Sequence, residues 1–339
     1  MPDDALSLVP VDHDQQVATR AAWLYFVAGL TQIEISRELG INRVRVNRLL
    51  ADAREQGIVQ IRITGRLANC VELEEKLKSR FGLTQAIVVP TPPNPALIPI
   101  IIGAATGRLL DEKLKDGMAV GVGWGRTLRL SLRSMRRRPL RKVSVVSLMG
   151  GLTRGSAVNP YETASHLADL IDAQCYYIAA PALADSEATR DLLFQQSMIK
   201  SVFDRLQRLD LVLVSVGGLS PESTICQVDL VSREDADSLM NAGAAGDVCV
   251  HWIDEAGNIV DHPLNRRAIA LSPEHLKSVP CVIVASGGAD KIGALHGALQ
   301  AGIPDILITD EATAAAVLAR TGAKPAAASM PIERKRRSL

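Results

Sequence analysis

The chain has 339 residues, 47% of them hydrophobic and 22% charged, with a formal net charge of +1. That composition excludes a disordered chain, and the length exceeds the roughly 100 to 200 residues of one average domain, so two domains are expected. No apolar run reaches the roughly 18 uncharged residues that span a bilayer, because the longest candidate, PALIPIIIGAATGRLL, contains two prolines and Arg108.

The N-terminus, MPDDALSLVPVDHDQQ, is acidic and lacks the charged-then-apolar pattern of a signal peptide, so a cytoplasmic protein is expected, with residues 1–14 flexible. The stretch QQVATRAAWLYFVAG predicts a helix whose Ala22, Leu24, Tyr25 and Val27 cover the next two helices. LTQIEISRELGINRVRVNRLLADAREQGIVQIRI then predicts helix, tight turn, helix and a closing strand over GIVQIRI. Thr31 and Glu34 have capping-box spacing, Gly40 suits a left-handed helix end, Asn42 suits the next cap, and Ile41 packs inward. Val46, Leu49, Leu50 and Ala53 recur at helical spacing and predict one buried face, leaving Val44, Arg45, Asn47 and Arg48 outward with Arg43 at the margin. Between residues 37 and 66 stand seven arginines against three acids, a local excess the net charge conceals. Arginine and asparagine grip base edges and phosphates, so residues 15–64 are expected to form a helix-turn-helix that contacts DNA through Thr31, Gln32, Asn42, Arg43, Val44, Arg45, Asn47 and Arg48.

Residues 65–83, including CVELEEKLKSRFGL, predict a helix that connects the modules or packs on a second subunit, and PTPPNPALIP predicts a loop. From residue 84 to 325 apolar strand-length runs alternate with helical stretches. The strands are QAIVVP, MAVGVGW, KVSVVSLMG, CYYIAA, LVLVSVGG, GDVCVHWI, PCVIVAS and DILIT. The helices include YETASHLADLIDA, ATRDLLFQQSMIKSVFDRLQRL and EATAAAVLART. Continuous hydrophobic strands of this kind belong to a parallel sheet covered on both faces, so the fold class is a doubly wound α/β domain behind an N-terminal helix-turn-helix. The cluster RSMRRRPLRK at 133–142 reads as a solvated helix end, and residues 326–339 as a basic tail. The five cysteines, at 70, 175, 226, 249 and 281, show no C-x-x-C spacing and read as reduced and buried.

Ligands of doubly wound sheets lie beyond the carboxyl ends of the strands. Four glycine turns fall there: GVGWGRT (121–127), MGGLTRG (149–155), SVGGLS (215–220) and ASGGADK (285–291). Glycines let amides approach an oxyanion, although any single such turn is better explained by backbone geometry. Lys291 adds a charge, and Thr127, Ser220 and Ser286 add hydroxyls. Asp247 suits either a general base or an acceptor for sugar hydroxyls. No dinucleotide glycine fingerprint, nucleophile elbow, phosphate-binding P-loop or paired-histidine metal spacing occurs, so no catalytic residue, metal or cofactor is expected. His166 and His296 read as ordinary helix residues.

In order along residues 15–322, the helix-turn-helix segment and the stretches GVGWGRTL, AGDVCVHWIDEAGNIV, LNRRAIALSPEHL, SGGADKIGALHGALQAG and ILITDEATAAAVL resemble the SorC family of bacterial transcriptional regulators. The resemblance implies a fold related to phosphosugar isomerases and a homo-oligomer, commonly a tetramer, that binds operator DNA and responds to a sugar, polyol or phosphosugar. It implies anion-gripping positions at Arg126, Thr127 and Lys291 and a hydroxyl-holding acid at Asp247. The expected effector set is Gly123, Gly125, Arg126, Thr127, Gly150, Gly151, Arg154, Asp247, Gly287, Gly288 and Lys291. Two positions depart from the family pattern. Asn42-Arg43 replaces the more common Ser-Arg, and Met149 stands where relatives that sense glycolytic phosphosugars carry an arginine, which favours a lightly charged or unphosphorylated polyol unless Arg154 compensates. The competing expectation is a phosphosugar isomerase with an accessory N-terminal domain.

Overall fold

Why the first helices stop where they do is visible in their caps. In the computed structural model, which describes residues 13–26, 28–55, 58–59, 67–152 and 159–320, the chain divides into two compact units, Met1–Gly65 and Arg66–Leu339. The first holds α1 (His13–Phe26), α2 (Gln32–Leu39) and α3 (Arg43–Glu55). Thr31 and Glu34 form the reciprocal capping box: the Thr31 N–H donates to Glu34 Oε2 at 2.7 Å and the Glu34 N–H to Thr31 Oγ1 at 3.4 Å. Gly40 takes the left-handed conformation at φ 64°, and Asn42 Oδ1 accepts from the Arg45 N–H at 2.8 Å. Between these caps the Ser36 hydroxyl donates to the Ile41 carbonyl and fixes the turn.

The unit's core is Ala18, Ala21, Ala22, Leu24, Ile35, Val46, Leu49, Leu50 and Ala53, with Tyr25 and Ile41 packed at its edge. Ala18 and Ala21 therefore share the covering role expected of Ala22 and Leu24, and Val27 lies outside the described residues. The closing strand expected at residues 57–63 lies outside the described residues except for Ile58 and Val59, which form no strand. α1 begins at His13, inside the segment expected to be flexible, and the basic tail lies outside the described residues.

The second unit contains β1 (Gln85–Val89), β2 (Ala119–Val122), β3 (Ser144–Gly151), β4 (Gln174–Pro181), β5 (Leu211–Val214), β6 (Val216–Gly217), β7 (Gly246–Val248), β8 (His251–Ile253), β9 (Val282–Ala285) and β10 (Ile306–Asp310). Seven of these form a sheet in the order β1-β10-β9-β5-β2-β3-β4, every pairing parallel. Alternate residues of one strand enter opposite cores. Leu211 and Leu213 pack with α5 (Ile98–Lys113), α6 (Arg126–Leu132) and α7 (Pro160–Ile171), whereas Val212 and Val214 pack on the other face with α4 (Leu67–Phe81) and the helix Ile292–Gln300. This two-sided burial is why the strands are continuously apolar.

Five expectations need correction. α4 packs on β1 and on the helix Glu311–Ala319, so it belongs to the second unit, with Leu77 and Phe81 buried there. The long helix at 188–209 is two, Glu187–Phe194 and Ser197–Leu206, folded together at an extended Gln196 by an edge contact of Phe194 on Phe203. PTPPNPALIP is only partly loop, because Asn94 caps a 3-10 turn and Ile98-Pro99 begins α5. LVLVSVGG and GDVCVHWI each break into two strands, giving a separate antiparallel sheet β6-β7-β8. Nor is 133–142 simply solvated: Arg138 donates to the carbonyls of Asp111 and Leu114 and closes the end of α5.

The capping box makes a local prediction. Thr31→Ala should cost about 1 kcal/mol of the stability of α2 and α3. Hydrogen exchange on the full-length protein should register the loss in those helices and leave the parallel sheet's protection unchanged.

Candidate functional site

Along α3 the side chains of Arg43, Val44, Arg45, Asn47 and Arg48 are exposed while Val46, Leu49 and Leu50 are buried. Val44 is 78% exposed and stands on the same outward face as the arginines. Arg43 Nε donates to Gln32 Oε1 at 3.4 Å, tying the starts of the two helices, and Arg48 reaches Asp52 only at 3.9 Å. Of the expected DNA set, Thr31 and Asn42 act through their caps, and the arginines, Val44 and Asn47 form the outward face.

In the second unit a cavity lies at the carboxyl ends of β2 and β5. It is lined by Trp124, Gly125 and Arg126 after β2, by Ser215 to Gly218 after β5, and by Thr224, Ile225, Asp247 and Lys291. From β2 the chain proceeds to β3 and β4 on one side, and from β5 to β9 and β10 on the other, so the cavity occupies the topological switch point. A larger open hollow, of about 730 Å³, lies between α4 and Glu311–Ala319, but its walls carry Leu73, Ala315 and Leu318 and no buried ionisable group.

Asp247 is 2% exposed and sits on the β7–β8 hairpin, whose two turn residues, Cys249 and Val250, both have positive φ, 51° and 53°. A β-branched residue is strained there, and the Val250 N–H holds the turn by donating to Asp247 Oδ2 at 3.0 Å. The opposite wall admits the carboxylate only because it is glycine: a Cβ on Gly217 would lie 2.1 Å from Asp247 Oδ1, and one on Gly218 2.4 Å from the Asp290 carbonyl. Desolvation raises the Asp247 pKa to about 6, against the Val250 bond and the Lys291 charge, which lower it. Desolvation also lowers the Lys291 pKa; Asp290 and Asp247 oppose that shift and Arg126 reinforces it. Two cations and one dry acid thus converge, an arrangement suited to an anionic group carried on a hydroxylated body.

The structure brings Gly125, Arg126, Asp247 and Lys291 together and places the other expected residues elsewhere. The Gly123 N–H donates to Leu213, the Gly150 N–H to Ile269, and the Gly288 N–H to Thr313 Oγ1, each at 2.9 Å, so these amides are already engaged. Thr127 is buried beside the cavity. Gly150 and Gly151 answer to packing, since a Cβ would meet the Pro181 carbonyl at 2.3 Å and the Tyr161 ring at 2.4 Å; Gly287 faces the Asp310 carboxylate. Arg154 lies outside the described residues. Trp124 and Ser215 to Gly218 fall in the turns GVGWGRT and SVGGLS but outside the expected effector set, and Thr224 and Ile225 were missed.

A capped, basic helix-turn-helix in the same chain as a doubly wound domain with an ionisable switch-point cavity defines a ligand-responsive transcription factor. Residues 65–319 match the family model Sugar-bind, a sugar-binding domain. The chain is 30% identical over 315 residues to the erythritol catabolism regulatory protein EryD of Brucella abortus, covering 92% of this chain and 99% of that one. It is 30% identical over 307 residues to the deoxyribonucleoside regulator of Bacillus subtilis, covering 90% and 97%. The crystal structure of the full-length sorbitol operon regulator SorC of Klebsiella pneumoniae is similar at a TM-score of 0.68 and 28% identity, over 91% of this chain and 100% of that one. The chain belongs to the SorC family: it is a transcriptional regulator with a sugar-binding domain, and the isomerase alternative falls. Among the described residues no helix is long and apolar enough to cross a membrane, and no cluster of metal-ligating side chains occurs.

Two predictions test the site. Gly150→Ala should destabilise the second unit by about 1 to 3 kcal/mol through overpacking, seen as a lower thermal midpoint. Asp247 releases its proton near 3.8 when unfolded and near 6 when folded, so native stability falls as pH rises between those values and the penalty is complete above them. Asp247→Asn should therefore match or exceed wild-type stability at pH 7.5, by up to about 3 kcal/mol, and lose that advantage below about pH 4 in denaturant titrations.

Proposed function

We propose that this regulator controls a sugar or polyol catabolic operon, binding operator DNA through α2 and α3 and taking a sugar, polyol or phosphosugar effector in the cavity between β2 and β5. The observation that carries this reading is the convergence of Arg126, Lys291 and the buried Asp247 on one cavity at the switch point. An enzyme needs an acid and a base poised over a bound substrate, whereas here the buried acid of the cavity already serves a strained hairpin. Arg126 and Lys291 would hold a phosphate or another anionic group, Asp247 a hydroxyl, and Trp124 the carbon backbone. EryD and the sorbitol operon regulator are named for erythritol and sorbitol, which supports a polyol or its phosphate as the ligand class. Gly125 serves through its backbone, whose φ of 126° at the start of α6 favours glycine.

On α3, Arg43, Arg45, Asn47 and Arg48 would reach base edges and phosphates in the major groove, with Val44 against a thymine methyl and Gln32 aligned by Arg43. A single such module binds DNA weakly, so the working form is a homo-oligomer, a tetramer by family likeness, acting in the cytoplasm. The cavity measures about 30 Å³, room for about two waters. A polyol enters only if the walls move, and a ligand that prefers the moved state shifts the population between two arrangements of the regulator.

Binding of fluorescent fragments of its own promoter region, followed by anisotropy across salt concentrations, tests the DNA half. Arg45→Ala and Arg48→Ala should each weaken binding, and each lost phosphate contact should flatten the log–log salt slope by about 0.9. Lys291→Ala should leave operator binding intact and abolish the thermal stabilisation that a panel of polyols and polyol phosphates gives the wild type. Equal loss of both activities would show that Lys291 only supports folding, and a wild type that ignores every promoter fragment at low salt would overturn the assignment.

A further inference from the structure

The loop from Gly218 to Thr224 runs beside the cavity, with Gly217 and Gly218 lining it at one end and Thr224 and Ile225 at the other. Between them stand Ser220 and Ser223, and both hydroxyl oxygens are buried without a hydrogen-bond partner among the described residues. Ser223 is only 3% exposed. It occupies the N-cap position of the short helix Thr224–Gln227, where serine ordinarily accepts from the first turn, yet its side chain makes no cap bond. The backbone of the same loop is hydrogen-bonded by contrast: the Ser223 N–H donates to the Ser220 carbonyl at 2.8 Å. Two dry, unpartnered hydroxyls within four residues cost stability in the unliganded protein, because a buried donor or acceptor without a partner loses its hydration and recovers nothing.

We propose that Ser220 and Ser223 are effector-contacting residues that recognise the ligand's hydroxyl groups. The inference rests on the effector reading of the cavity and divides its labour: Arg126 and Lys291 take the anionic end, while the serine loop, turned inward as the cavity opens, exchanges hydrogen bonds with the carbon-bound hydroxyls. A hydroxyl both donates and accepts, as a serine does, so the pair suits a polyol chain better than a carboxylate or a base. Selectivity follows from the same chemistry, since a ligand lacking those hydroxyls leaves the serines unpartnered and gains nothing from them.

The test uses the full-length protein and three probes: glucitol 6-phosphate, erythritol 4-phosphate and inorganic phosphate, with affinities from calorimetry and thermal midpoints recorded without ligand. Ser223→Ala should weaken the better-bound of the two polyol phosphates about tenfold and change inorganic phosphate by less than about twofold, and Ser220→Ala should act in the same direction. The unliganded midpoint of each variant should equal or exceed the wild type, because an unpartnered hydroxyl has been removed. A lowered unliganded midpoint would mean the hydroxyls already serve the fold and would overturn the proposal. So would unchanged polyol phosphate affinity in both serine variants while Lys291→Ala abolishes it, an outcome that spares the effector reading. If Lys291→Ala leaves all three affinities unchanged as well, or if the wild type binds neither polyol phosphate, the effector reading of the cavity fails and this inference with it.

Discussion

Between β2 and β5 the chain departs in opposite directions, and the rest of the second unit is arranged around that divergence. The connection after β2 leads outward through β3 and β4, and the connection after β5 leads the other way through β9 and β10. Neither loop can cover the gap between the two strand ends, so a crevice is built into the topology before any side chain is chosen. The groups that fill it come from farther along the chain. The β6-β7-β8 sheet carries Asp247 over the gap, and the turn after β9 brings Lys291 alongside. Close approach of these pieces depends on Gly217, Gly218 and Gly246, where a Cβ would lie within 2.4 Å of a neighbouring oxygen. The dryness that lifts the Asp247 pKa is thus a consequence of backbone packing and not of a deep pocket.

The helix-turn-helix was legible almost residue by residue, because every determinant of it is local. Thr31 and Glu34 are three apart, Gly40 ends one helix, Asn42 starts the next, and the buried stripe of α3 runs at helical spacing. The parallel sheet was legible for a related reason: a strand buried on both faces must be apolar at every position. The order of the strands was not, since pairing of β9 with β5 across some seventy residues leaves no trace in either segment. Nor was the hairpin at Cys249 and Val250, where residues unsuited to positive φ are held by tertiary contacts and by Asp247.

The cavity between β2 and β5 was legible only in part, and the glycines show why. Three of the glycine turns follow β9, β5 and β2, and the glycines of the fourth stretch end β3; these four strands are adjacent in the sheet. A glycine tolerates close approach from any direction, and the sequence does not say from which. Gly217 faces a carboxylate in the cavity, whereas Gly150 faces a carbonyl of β4 and Gly151 an aromatic ring. Charged residues were the better guide, because burying Lys291 or Asp247 requires a partner.

A cavity this small also constrains how a bound ligand can be felt elsewhere in the second unit. Lys291 immediately precedes the helix Ile292–Gln300, whose Gly297 lies so close to the Asp254 carbonyl that a Cβ there would come within 2.2 Å. On the same helix His296 donates from Nδ1 to the Glu255 carbonyl, 2.9 Å away, and sets its ring edge-on to Phe81 with centroids 6.2 Å apart. Burial keeps the His296 imidazole below its ordinary pKa, so a neutral ring with one fixed nitrogen holds this joint. A helix wedged against a backbone carbonyl on one side and an aromatic ring on the other does not yield at one end alone, because a close-packed interior transmits strain instead of absorbing it. A shift of Lys291 would therefore be passed along this helix to Phe81, the last residue of α4.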